Sequence, residues 1–162
     1  MNPRPIAAGP VCLEPVTDVY RKDVLSIDVS PDQARFVATN AESLREARTD
    51  DEARPRAIIA GGRVVGFLMY SMAPDEPEAI VYRLMIDRRD QGKGYGMAAM
   101  RAVLGEIAAL GHVRCVKICY DPENAAARRL YGKLGFAETG LDEDGEMIAE
   151  LRLGADRACG PR

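Results

Sequence analysis

The chain has 162 residues, 47% of them hydrophobic and 29% charged, with a formal net charge of −3. That is the composition of one globular domain large enough for a real core. It argues against general nucleic-acid affinity, which rests on clustered Lys and Arg, and no apolar run approaches the roughly 20 residues of a membrane span.

Residues 1–10 are rich in Pro, Gly and Ala and read as a loose terminus, with no apolar stretch of a secretory signal. The expected location is therefore cytoplasmic. Val11–Val16 predicts a first strand and Thr17–Leu25 a short helix. Ser30-Pro31-Asp32-Gln33 offers a cap, a first-turn proline and a capping-box glutamine. The spacing then predicts one helix running to about Arg48, with Phe36, Val37, Asn40, Leu44 and Ala47 on one face. Asn40 is polar on that stripe and reads equally well as a buried amide bonded to backbone.

Arg56–Ala60, Gly61-Gly62 and Val64–Met72 predict a β-hairpin, followed by a loop with two prolines and a strand over Ile80–Asp87. Met97–Leu110 has Met100, Val103, Leu104, Ile107 and Leu110 on one stripe and stops at Gly111. His112–Tyr120 is rich in strand formers, Glu123–Leu134 predicts a helix closed by Gly135, and Phe136–Thr139 with Glu146–Leu153 predicts a final strand pair. The order β-α-α-β-β-β-α-β-α-β-β implies an α/β domain over 11–153, built on a mixed sheet with helices on both faces. Residues 154–162 read as a second loose terminus. Cys12, Cys115, Cys119 and Cys159, with the lone His112, show no metal-ligand spacing, so no metal is expected.

Gln91-Gly92-Lys93-Gly94-Tyr95-Gly96 stands between the predicted strand and the Met97 helix. Glycines at a strand-to-helix turn free the backbone to approach a ligand, and the first helical amides lack internal partners. Such a turn suits phosphate. A Walker loop is excluded because Met97 follows the last glycine, and the dinucleotide spacing is not met. Gln91, Gly94 and Gly96 do match Q/R-x-x-G-x-G/A.

That pattern resembles the acetyl-CoA pyrophosphate loop of the GNAT superfamily of N-acetyltransferases. Asn124 followed by Leu130-Tyr131-Gly132-Lys133-Leu134-Gly135-Phe136 resembles the superfamily's second motif, N-x5-LYxKxGF. Phe36-Val37-Ala38, Asn40, Ser43-Leu44 and Ala47 are similar to a helix of bacterial spermine/spermidine acetyltransferases, as is Tyr82–Asp87 with the glycine stretch.

The resemblance implies transfer of acetyl from acetyl-CoA to a primary amine such as a polyamine, with homodimers common among the relatives. It implies that amides of Gly92, Lys93, Gly94, Tyr95 and Gly96 cradle the diphosphate, with Gln91 and Lys93 adding side-chain contacts. Pantetheine would lie along Leu84, Met85 and Ile86 as an added strand, with Asn124 touching it. A backbone N–H near Leu84 or Met85 would polarise the thioester, its place depending on whether that strand carries a bulge. Tyr131 would donate a proton to the leaving thiolate. Where some relatives place a glutamate on the strand before the glycines, Tyr82 stands here with Arg83 beside it, a catalytic candidate through held water, as is Tyr70. Glu78 and Glu150 are further candidates for the base, and Glu42, Glu46, Asp75, Glu76 and Glu78 for a cationic entrance. An aminoglycoside-type or protein amino acceptor, or a non-catalytic acyl-CoA-binding domain, are the alternatives.

Overall fold

The computed structural model describes residues 9–154. Of the loose ends expected over 1–10 and 154–162, residues 1–8 and 155–162, with Cys159, lie outside them. Seven strands form one sheet in the order β1-β2-β3-β4-β5-β7-β6. They are β1 (Val11–Pro15), β2 (Ala53–Ala60), β3 (Arg63–Met72), β4 (Glu78–Ile86), β5 (Cys115–Tyr120), β6 (Ala137–Leu141) and β7 (Met147–Arg152). All neighbours run antiparallel except β4 and β5, which the crossover helix makes parallel.

The helices are α1 (Asp18–Leu25), α2 (Pro31–Ala34), α3 (Asn40–Glu46), α4 (Tyr95–Ala109) and α5 (Ala125–Leu134). They cover the sheet from two sides, as their apolar stripes require. One core takes Ala99, Met100, Val103 and Ile107 of α4, with Leu130, Tyr131 and Leu134 of α5 at its margin. The other packs Val24 of α1 and Leu44 of α3 on Ala57, Phe67, Met69 and Met85. Ile107 is fully buried, so Ile107→Ala should cost about 3 kcal/mol, transfer and cavity terms together.

The expected helix from Pro31 to Arg48 is two helices instead. Ser30 makes no side-chain cap. Thr39 takes over as a true N-cap: its Oγ1 accepts from the Glu42 amide at 3.2 Å, and Glu42 Oε2 accepts from the Thr39 amide at 2.9 Å. The reciprocal capping box starts a new helix where the periodicity predicted a continuous one. Phe36 and Val37 fall in the turn between the two helices. Asn40 is buried and donates through Nδ2 to the Val24 carbonyl at 2.8 Å, tying α3 to α1.

Candidate active site

β4 and β5 pair only from Glu78↔Cys115 to Val81↔Ile118. Beyond Val81 the two strands part, although β4 continues to Ile86 and β5 to Tyr120. The sheet splits there, and the freed edge of β4 is open to an extended amide ligand.

A bulge marks the split. On the β3 side Tyr70 pairs with Val81 and Met69 with Arg83, so Tyr82 is the extra residue. It changes the parity of the strand. Ala79 and Val81 face the α4–α5 core. Tyr82 packs on the α1–α3 core. Arg83 follows it to the same side and donates to Ser43 Oγ at 3.1 Å and Glu46 Oε2 at 3.3 Å on α3. Leu84 and Ile86 then return to the α4–α5 side.

The turn after β4 is braced from within. Asp90, 1% exposed, is held by a fork from Arg63 at 2.8 and 2.5 Å and by Lys93 Nζ at 3.2 Å. The Arg63 bonds, added to by Lys93, hold the Asp90 carboxyl down at about 2. Gln91 donates from Nε2 to the Ile86 carbonyl at 3.0 Å and to Gln33 Oε1 at 2.7 Å. The carboxamide thus closes the turn and fastens α2 over it. Gly92 (φ 75°) and Gly94 (φ 84°) take left-handed conformations that a side chain would strain. α4 makes its first internal bond from the Ala98 amide to the Gly94 carbonyl at 3.1 Å. The amides of Tyr95, Gly96 and Met97 are left without helical partners.

These features converge on a cleft of about 530 Å³. Of the expected site residues, Tyr82, Leu84, Met85, Ile86, Gln91, Gly92, Gly94, Tyr95, Gly96, Asn124 and Tyr131 line it. Lys93 does not. It turns to Asp90 and lines a neighbouring cleft of about 400 Å³ with Arg63 and Arg89. Arg129 and Lys133 also line the main cleft, and sequence reasoning passed over them. Their i, i+4 spacing, which stacks both cations on one face of a helix, was the available signal. Phe36 and Val37 reach the cleft only because the α2–α3 break takes them out of a helix.

Asn124 caps α5, its Oδ1 accepting from the Ala127 amide at 3.1 Å. The capping oxygen leaves the amide NH₂ for a ligand. Tyr131 packs against Tyr120 and Phe136, with ring centroids 5.5 and 5.8 Å away. Burial drives its phenol well above the ordinary value, and the nearby Tyr120 adds to the shift. Tyr120 is already engaged, donating to Glu138 Oε1 at 2.5 Å. Tyr131 keeps its proton throughout the physiological range and has no hydrogen-bond partner among the described residues. Tyr82 is pushed up to about 12 by burial and, next, by Glu46, and its hydroxyl is buried without a partner.

The other candidates for proton transfer are occupied elsewhere. Tyr70 donates to Glu106 Oε1 at 2.6 Å on the α4 side. Glu78 and Glu150 share Lys117 at 2.9 and 3.7 Å. Of the residues expected at a cationic entrance, Glu42 is spent in the capping box and Glu46 on Arg83. The fold does gather one group that no spacing announced: the ligand atoms of Cys119, Asp142 and Glu146 lie within 4.8 Å of one another.

Residues 21–136 match the acetyltransferase (GNAT) family. A spermine/spermidine N(1)-acetyltransferase of Bacillus subtilis is 31% identical over 148 residues, covering 86% of this chain and 97% of the relative. An L-2,4-diaminobutyric acid acetyltransferase of Wolinella succinogenes is 30% identical over 76 residues, 46% of this chain and 44% of its own length. Among solved structures, an aminoglycoside acetyltransferase in complex with coenzyme A superposes with TM-score 0.74 at 17% identity, over 88% of this chain and 94% of that one. The ribosomal-protein-S18-alanine N-acetyltransferase of Escherichia coli gives TM-score 0.67 at 18% identity, over 93% and 99%. With the split sheet, the glycine turn and the capped helix α5 in place, this chain belongs to the acetyltransferase (GNAT) family and is an acetyl-CoA-dependent N-acetyltransferase.

Proposed function

We propose that the acceptor is a polyamine such as spermidine or spermine, acetylated by direct attack of a primary amine on acetyl-CoA. The observation that carries this is the likeness to the Bacillus subtilis spermine/spermidine enzyme along 97% of that enzyme's length. The diphosphate sits on the amides from Gly92 to Gly96, where helix α4 presents N–H groups and partial positive charge. Arg129 and Lys133 supply the remaining phosphate attraction, and Lys93 serves by bracing Asp90. Pantetheine adds to the open edge of β4 along Leu84, Met85 and Ile86, with the free NH₂ of Asn124 alongside.

The bulge at Tyr82 turns the backbone at the point where the thioester carbonyl arrives. An amide close to it, in the Leu84–Met85 stretch, polarises that carbonyl, a contribution of about 3 kcal/mol by oxyanion-hole precedent. Collapse of the tetrahedral intermediate expels a thiolate, which takes the Tyr131 proton. Tyr82 shapes the acceptor side and holds water there rather than ionising.

The test is thiol release from acetyl-CoA with spermidine, spermine, an aminoglycoside and a peptide N-terminus as acceptors. The two polyamines should give the highest kcat/KM, by tenfold or more. Release only with the aminoglycoside or the peptide would move the acceptor to that class. Binding of coenzyme A with no release on any amine would leave an acyl-CoA-binding domain.

A further inference from the structure

An ammonium acceptor must lose a proton before it can attack, and β4 beyond Val81, where the sheet splits, carries no carboxylate to take it. Glu78 and Glu150 are tied to Lys117. They also stand at the closed end of the split, since Glu78 pairs with Cys115 and Glu150 with Lys117.

The open end has a different carboxylate. Val116, Ile118 and Tyr120 of β5 face the α4–α5 core, so Cys119 faces the side to which the bulge sends Tyr82 and Arg83. On β7, Met147, Ala149 and Leu151 face the same core. Met147 pairs with Tyr120, and Glu146 immediately precedes it. Glu146 therefore arrives beside Cys119, their ligand atoms within 4.8 Å, and Cys119 lines the cleft. The backbone there is held: the Glu146 amide donates to Asp142 Oδ1 and the Asp142 amide to the Glu146 carbonyl, both at 2.8 Å, which leaves the carboxylate exposed to the cleft's open end.

We propose that Glu146 is the general base, taking a proton from the acceptor's ammonium group at the open end of the β4–β5 split, with Asp142 beside it attracting the cation. This rests on amine acetylation in the cleft described above. One ammonium proton passes to the Glu146 carboxylate and then to water. The nitrogen lone pair forms the C–N bond to the thioester carbon, and the C–S bond breaks. The thiolate takes the Tyr131 proton, and the second proton shed by nitrogen restores the phenol. The groups facing Glu146 are Asp142 and Asp144 of its own turn, Asp121 after β5, Cys119 of β5 and Arg83 of β4. Partial desolvation, then Asp142, raises the carboxyl of the exposed Glu146, and Arg83 opposes the rise. A raised carboxylate is the stronger base near neutral pH.

The experiment is the pH profile of kcat/KM for the wild type, Glu146→Gln and Glu146→Asp, with coenzyme A binding measured by calorimetry on each. Spermidine is the acceptor; where it is not turned over, the profile is read on whichever amine releases thiol, so a wrong acceptor class is told apart from a wrong base. Glu146→Gln should lower kcat/KM about 100-fold at pH 7 and recover toward the wild type as the amine deprotonates by itself at high pH. Glu146→Asp should fall between, and coenzyme A should bind all three alike. A Glu146→Gln enzyme within threefold of the wild type, with an unchanged profile, overturns the proposal.

Discussion

The two sides of the cleft are made differently. The side proposed for the coenzyme is short in sequence and made of backbone: the amides after Gly92, the open edge of β4 and the N-cap of α5. The side proposed for the acceptor is made of single side chains from distant segments, Tyr82 and Arg83 at the bulge, Phe36 and Val37 in a turn, Cys119 at a strand end. A backbone site is defined by dihedral angles and tolerates little. A side-chain site can be altered one residue at a time, so one cleft can keep its coenzyme while its acceptor changes.

The largest expected effect breaks the coenzyme side alone. Gly94 caps α4 at φ 84°, where a β-branched residue is strained by about 1–2 kcal/mol and crowds the amides that meet the diphosphate. Gly94→Val should weaken coenzyme A binding 100-fold or more by calorimetry. If affinity is held, the amide cradle is wrong. Next, Tyr131→Phe should separate chemistry from binding: kcat falls about 100-fold while the coenzyme A Kd stays within threefold. An unchanged kcat would remove Tyr131 as the acid.

A smaller effect tests how the turn is braced. Asp90 titrates at about 2 when folded, against an ordinary 3.8. The folded protein thus binds this proton less readily than the unfolded chain. The stabilisation, about 1–2 kcal/mol, is complete above pH 4 and fades as pH falls from 4 through 2. Asp90→Asn should remove that much by urea denaturation and flatten the acid limb below pH 4. An unaltered limb would show that the fork from Arg63 adds nothing. The smallest effect sharpens the coenzyme side. Arg129→Ala or Lys133→Ala should weaken coenzyme A only a few-fold, and less at high salt, because such exposed charges are screened. No salt dependence would take both residues off the phosphates.

Much of the cleft lining on the glycine-turn side was legible in the residues. Gln91, Gly94, Gly96, Asn124 and Tyr131 stand at fixed spacings because a turn, a helix start and a cap are local structures. Lys93 and Gln91 show where that legibility stops. Their place in the motif suggested phosphate, yet Lys93 bonds Asp90, and Gln91 bonds Ile86 and Gln33. A motif marks a position, while the partner of a long polar side chain depends on what packs nearby. The helix expected from Pro31 to Arg48 failed for a related reason. Its periodicity was sound, but the capping box of Thr39 and Glu42 competed locally and started a second helix.

By themselves the residues determined the order of the strands, the helices α1, α4 and α5, the two faces of the sheet and the glycine motif, because hydrophobic period and turn chemistry act over a few neighbours. Only the tertiary structure decided the bulge at Tyr82, the length of the β4–β5 split and the meeting of Cys119 with Glu146. Each depends on pairing between segments far apart in the chain, where one extra residue turns every later side chain to the opposite face.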